Sequence, residues 1–126
     1  MMDTFKVIVA GSRKYDDYDT LREKCDTILS KKLTDPNVQV IVVSGSATGA
    51  DSLGEKYAAE RGLSVERFPA DWEKYGKSAG PRRNAEMAAV ADALIAFPKQ
   101  GEANKGTLNM IAIAKVKGLQ VRVIRS

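Results

Sequence analysis

Apolar positions along this chain follow two alternating rhythms. Short β-branched runs occupy Phe5–Ala10, Val38–Val43, Leu63–Phe68, Ala93–Phe97 and Gln120–Ile124. Between them, apolar residues recur at spacings of three and four, as on one face of a helix. The runs read as strands, and Val38–Val43 is nearly all apolar, as strands of a parallel sheet covered on both faces tend to be. Leu21, Cys25, Ile28 and Leu29 fall on one face of a first helix, which Asp16, Asp17 and Asp19 equip with N-cap chemistry. Asp35-Pro36-Asn37 is turn chemistry. A second helix follows Ser44–Asp51, passes through Leu53, Tyr57 and Ala58, and stops at Gly62. A third opens near Pro81, where a missing N–H costs nothing, and runs to about Ala91. A fourth covers Thr107 to Lys117 and stops at Gly118, while residues 69–80 and 98–106 are expected to be loops. Five strands and four helices in alternation predict an α/β fold of three layers, a mostly parallel five-stranded sheet with helices on both faces. With no repeat, low-complexity tract or linker, residues 1–126 are expected to form a single domain.

In such sheets ligands bind beyond the C-terminal strand ends. The loops there begin at Gly11-Ser12-Arg13, Ser44, Pro69 and Pro98. Ser44–Gly49 places glycines just before a helix N-terminus, where free N–H groups and the helix dipole favour an anion. It also fits a plain strand-to-helix turn. Gly106-Thr107 repeats the arrangement after the fourth strand. Arg13, Arg82 and Arg83 fall on the same rim, and arginine binds phosphate bidentately. Trp72 and Tyr75 either stack on a base or ribose or anchor their loop as a small satellite core. No G-x-G-x-x-G follows the first strand, and Gly76-Lys77-Ser78 lacks both the first P-loop glycine, replaced by Asp71, and a strand directly before it.

Composition narrows the chemistry further. The chain has no His, which removes Ser-His-Asp and Cys-His nucleophile pairs and His-bound metals. Its one cysteine, Cys25, precludes internal disulfides and reads as an inert core thiol. No metal site and no definite cofactor are expected. The net charge of +4 suits a phosphate-bearing ligand or weak nucleic-acid contact without requiring either. No signal peptide or membrane span is visible, so a soluble cytoplasmic protein is expected. Leu108, Met110, Ile111, Ile113, Ala114 and Val116 leave the last helix little polar face. The surplus is expected to meet a second copy of the chain or a neighbouring element.

A set of residues in order along the chain carries a resemblance: Gly11-Ser12-Arg13, Ser44-Gly45-Ser46-Ala47-Thr48-Gly49-Ala50-Asp51, Pro69-Ala70-Asp71-Trp72, Tyr75-Gly76-Lys77, Ala79-Gly80, Arg83-Asn84 with Met87, Ala91-Asp92 and Gly106-Thr107. The chain resembles the small YspA-like branch of the SLOG superfamily, which is named for the Smf/DprA and LOG proteins. The resemblance spans nearly the whole chain and implies a Rossmann-like domain binding a nucleotide-derived ligand such as an ADP-ribose-like molecule. LOG phosphoribohydrolases in that superfamily cleave the N-glycosidic bond of nucleoside monophosphates through motifs including Arg-Lys on a helix and P-G-G-x-G-T-x-x-E. Arg83-Asn84 is similar to the first, with Asn for Lys. Gly106-Thr107-Leu108-Asn109-Met110 is similar to the second, with Met110 where the catalytic Glu stands and with extra residues between Pro98 and Gly106. A thioether supplies neither charge nor proton, so the phosphate-binding half of the motif is what carries over.

Three functions follow as expectations. The first is binding or sensing of a phosphate-bearing nucleotide-derived ligand. Arg13, Arg83, the backbone of Ser44, Gly45, Ser46, Ala47 and Gly49, and Thr107 would hold phosphate, with Asp51 and Trp72 or Tyr75 at sugar or base. Gly11, Ser12, Ala50, Asp71, Arg82, Asn84 and Gly106 complete the expected ligand- or phosphate-binding set. The second is a nucleotide N-glycosidase or transferase using another carboxylate, with Asp51 and Glu86 as the leading candidates beside Glu55 and Asp71. Asp51, at a helix start, suits capping, worth roughly 1 kcal/mol, or a bond to a ribose hydroxyl better than it suits catalysis. The third is a single-stranded DNA-binding module of the DprA kind, which the small and scattered basic excess weakens.

Overall fold

The computed structural model describes residues 2–125. Its elements are β1 (Asp3–Gly11), α1 (Tyr18–Leu33), β2 (Val38–Ser44), α2 (Ala50–Arg61), β3 (Ser64–Arg67), α3 (Trp72–Tyr75), α4 (Ala79–Val90), β4 (Ala93–Phe97), α5 (Lys105–Val116) and β5 (Gln120–Val123). The five strands form one sheet in the order β3-β2-β1-β4-β5, with every neighbouring pair parallel. The α/β reading therefore holds, and the sheet is parallel throughout.

The central strand shows why. Val7 and Val9 point to the layer formed by α1 and α2, while Ile8 and Ala10 point to the layer formed by α4 and α5. All four are buried, so alternation along β1 serves two cores and leaves no face for polar residues. On α1, Leu21, Cys25 and Leu29 are buried against the first core. Burial pushes the Cys25 thiol up to about 12, which keeps it protonated. Asp17 is the residue that caps α1, accepting from the Thr20 N–H at 3.1 Å and from its hydroxyl at 2.7 Å. Gly62 closes α2 in the left-handed region at φ 68°.

Two boundaries differ from the sequence pattern. Residues 69–80 are not simply loop: Asp71 caps the one-turn helix α3, and a 3-10 turn at Gly76–Ser78 leads into α4. Pro81 accordingly sits inside the first turn of a helix that begins at Ala79. The last helix begins at Lys105 because Asn104, at φ 54°, reverses the chain just before it. Met110, Ile111 and Ala114 of α5 are buried, whereas Leu108 and Val116 stay 51% and 86% exposed. No helix among the described residues is long and apolar enough to cross a membrane.

Winding runs outward from β1 in both directions. The connections to β2 and β3 cover one face and those to β4 and β5 cover the other. Loops leaving β1 and β4 therefore part company at their C-terminal ends and open a crevice.

Candidate functional site

The crevice is a cavity of about 520 Å³. Its floor and walls come from Gly11 at the end of β1 and the loop after it to Lys14, from Ala47 before α2 and Asp51 in its first turn, from Trp72 and Lys77, from the first turns of α4, and from residues 102–107, Asn109 and Met110. Lining cations outnumber carboxylates, with Arg13, Lys14, Lys77, Arg83 and Lys105 against Asp51 and Glu102.

The glycine loop after β2 is built inward. Ser44 is fully buried, and its hydroxyl donates to Glu55 Oε2 at 2.6 Å while accepting from the Ser46 N–H at 3.1 Å. Arg67 holds the other Glu55 oxygen through Nε at 3.0 Å and Nη2 at 2.9 Å. The Ala47 N–H donates to Asp51 Oδ2 at 3.2 Å, and the Ala50 N–H donates to the Ser12 carbonyl at 3.1 Å. Three of the loop's amides are thus already satisfied within the protein. Its glycines serve the same purpose. A Cβ on Gly49, at φ 75°, would lie 2.2 Å from the Ser12 carbonyl oxygen, and one on Gly45 would lie 2.5 Å from Arg83 Nη1. What approaches this backbone closely is the β1 loop and an arginine of α4.

That arginine is half-buried. Arg83 donates from Nη1 to the Gly45 carbonyl and from Nε to Asn84 Oδ1 at 3.0 Å. Burial pulls its guanidinium below the ordinary value, the Asp51 charge pulls it back up, and Arg13 adds a smaller downward push. Asp51 is 6% exposed. Burial pushes its carboxyl up to about 6, against the downward pull of the Ala47 N–H and Arg83. A carboxyl of that value is shared between its neutral and charged forms near neutrality.

The start of α5 is arranged the opposite way. Asn104 does not cap it: its Oδ1 accepts from the Lys99 N–H at 3.1 Å, and its Nδ2 donates to the carbonyls of Lys99 and Glu102 at 2.9 Å each. The first helical bond runs from the Leu108 N–H to the Asn104 carbonyl at 2.8 Å. The N–H groups of Lys105, Gly106 and Thr107 have no acceptor among the described residues, and all three residues line the cavity. At the mouth, Trp72 rests on Gly80, where a Cβ would meet its ring at 3.2 Å, and the Arg13 guanidinium lies 5.5 Å from the ring centroid.

Of the residues singled out in the sequence, Gly11, Ser12, Arg13, Ala47, Asp51, Trp72, Arg83, Asn84, Gly106 and Thr107 line this one cavity. Ser44, Gly45, Ser46, Gly49 and Ala50 lie behind it as support. Asp71 caps α3. Arg82 turns away, bonded through Nε to Ser78 Oγ at 3.1 Å and stacked 4.3 Å from the Tyr75 ring. Glu86 is exposed outside the cavity, and Glu55 is engaged with Ser44 and Arg67. The pattern reading overlooked Lys14, Lys77, Glu102, Asn104, Lys105 and Asn109. Lys14 and Lys105 adjoin named residues, and Asn109 lies one helical turn beyond Lys105, so spacing carried some signal for these. Among the described residues no cluster of His, Cys, Asp or Glu is suited to hold a metal.

Comparison with known proteins agrees with this architecture. The model of a family described as YspA, cpYpsA-related SLOG matches residues 5–75. The Gene 61 protein of Mycobacterium phage D29 is 37% identical over 99 residues, 74% of this chain and 76% of that protein. The X-ray structure of TM1055, a structural genomics target, superposes with a TM-score of 0.62 at 21% identity, over 95% of this chain and 72% of that one. The X-ray structure of DNA processing protein A (DprA) from Streptococcus pneumoniae does so with 0.51 at 15% identity, over 94% of this chain and 58% of that one. The two superpositions speak to the fold alone.

Proposed function

The chain belongs to the YspA, cpYpsA-related SLOG family, and from that premise we propose that its crevice binds a phosphate-bearing, nucleotide-derived ligand. The observation that carries this reading is the convergence of the three open amides of α5 with Arg13, Lys14, Arg83 and Lys105 in one cavity. An uncapped helix start favours an anion by roughly 0.3–2 kcal/mol, and each hydrogen bond to a charged group adds about 1.5–3 kcal/mol. The exposed Trp72 ring at the mouth offers a flat face to a base. Residues 1–126 act in this reading as one binding domain.

Titration calorimetry with AMP, ADP-ribose, NAD and cyclic nucleotides tests it. Trp72 is the chain's single tryptophan, so quenching of its emission provides a second readout. Binding by at least one ligand, weakening as salt rises, is the expected result. Absence of heat, quenching and melting shift across the panel refutes it.

A second reading, N-glycosidic bond hydrolysis, draws on Asp51. A carboxyl at about 6 inside the cavity holds a proton that can pass to the departing base nitrogen as the glycosidic bond breaks. Water then adds to the sugar carbon of the oxocarbenium-like species and releases its proton to the carboxylate. Release of free base from nucleoside monophosphates, lost in Asp51→Asn, is its signature, and intact substrate after long incubation counts against it. The exposed apolar row Leu108, Ala112 and Val116 on α5 supports self-association, to be checked by sedimentation at high concentration.

A further inference from the structure

We propose that Asn109 contacts the ligand as a hydrogen-bond donor to a phosphoryl oxygen, its orientation fixed by Arg83 through Asn84. The proposal rests on the reading of the cavity above and names one of its contacts. Asn84 is buried between α4 and α5 and makes three hydrogen bonds. A guanidinium carries only donors, so the Asn84 oxygen must face Arg83 Nε, at 3.0 Å. Its nitrogen then faces α5, donating to Asn109 Oδ1 at 2.9 Å and more weakly to the Gly106 carbonyl at 3.4 Å. Asn109 therefore has its oxygen engaged and its amide nitrogen left over.

That nitrogen has no partner among the described residues. No buried side-chain nitrogen or oxygen among them lacks a partner, so this one is accessible, and Asn109 lines the cavity. Helical side chains lean toward the N-terminus of their helix, which brings the Asn109 amide back beside Lys105 and Gly106. Two N–H donors at that place match an oxygen that only accepts.

The chain of bonds also gives specificity. Turning Asn109 over to accept a hydrogen bond would set its nitrogen against the Asn84 nitrogen, and Asn84 cannot turn without setting its own nitrogen against Arg83. A ligand presenting an amine at this position would leave donors facing donors, and the site rejects it.

Calorimetry with AMP, together with the side-chain amide signals of 15N-labelled protein, decides the matter. Asn109→Ala removes the donor without adding charge and should weaken AMP binding at least tenfold. Asn109→Asp still accepts from Asn84, which preserves the fold, and should weaken binding further. The amide pair missing from the Asn109→Ala spectrum should shift when AMP saturates the wild-type protein. Wild-type binding of AMP with Asn109→Ala within twofold, or with that amide pair unmoved, overturns the proposal while leaving the cavity reading intact. Wild-type protein that gives no heat, quenching or melting shift with AMP, ADP-ribose, NAD or cyclic nucleotides overturns the cavity reading, and this assignment with it. Where another panel member binds and AMP does not, the Asn109 variants are compared with that ligand and judged by the same limits.

Discussion

The loops joining β2 to α2 and β4 to α5 occupy equivalent places, each running from a strand end to a helix start on the same rim. The first carries Gly45, Gly49 and three hydroxyl residues within Ser44–Gly49, the composition expected of an anion cradle. The second carries Lys99, Gln100, Gly101 and Glu102, and its anion signal is confined to Gly106-Thr107 at the helix start it leads into. Both helix starts are expected to favour an anion, and the two differ in which amides stay open. The glycine loop spends the amides of Ser46, Ala47 and Ala50 on Ser44, Asp51 and Ser12. The plainer loop turns its potential cap, Asn104, back on itself and leaves the amides of α5 open. Glycine marks a close approach of backbone to something, and that something is as readily another part of the protein as a ligand.

The sharpest way to break this contrast is to add one methyl group at Gly49, in the first loop, and one at Gly106, in the helix turn that follows the second. Gly49→Ala places a Cβ into the Ser12 and Arg13 backbone at a positive φ. It should cost about 3 kcal/mol or more in denaturant unfolding. Gly106→Ala meets nothing within 4 Å and should stabilise by about 0.5–1 kcal/mol, because alanine loses less backbone entropy than glycine in a helix. Equal effects would remove the distinction.

Asp51 offers the next largest effect, through pH. Its folded carboxyl stands at about 6, above the ordinary 3.8, so the native state holds the proton more tightly than the unfolded chain. The stabilisation from this group is complete below about pH 4 and lost as pH rises through 6, to an upper bound of about 3 kcal/mol. Asp51→Asn keeps an acceptor for the Ala47 N–H and should be more stable than wild type at pH 8. The advantage should shrink toward zero near pH 4, as followed by urea unfolding across that range.

Ligand affinity separates the loops more finely. Lys105→Ala should weaken AMP binding three- to tenfold, with a shallower salt dependence. Thr48→Ala should leave it within twofold, since the Thr48 hydroxyl reaches only the Arg13 carbonyl, at 3.5 Å. The smallest expected change is Arg82→Ala. The Arg82 side chain is bonded to Ser78 and stacked on Tyr75 outside the cavity. Its loss should alter stability by under about 0.5 kcal/mol and AMP affinity by less than twofold. A larger loss of affinity on Arg82→Ala than on Lys105→Ala would return the phosphate to the outer rim.

Much of the fold is legible because burial on two faces leaves a strong signature. Val38–Val43 can be so apolar only if helices cover both sides, and Gly62 and Asp17 mark helix ends by backbone and side-chain chemistry local to them. Trp72–Tyr75 was not legible as a helix, since a single turn with no buried residue has no periodicity to show. The site was legible in part. Arg83 and Asn84 are adjacent in sequence and remain together at the cavity, whereas Arg82, one residue earlier, is held by Ser78 and Tyr75 outside it.

By itself the sequence determined the order of strands and helices, the two-sided core and the rim on which polar chemistry gathers, because those follow from periodicity and local capping. Only the tertiary structure decided which polar groups remain free. Whether an amide or a guanidinium is available depends on distant partners: Ser12 against Gly49, Gly45 against Arg83, Asn84 against Asn109. Hydrogen bonds are satisfied in space rather than along the chain, and the groups left unsatisfied at the crevice are those no other element reaches.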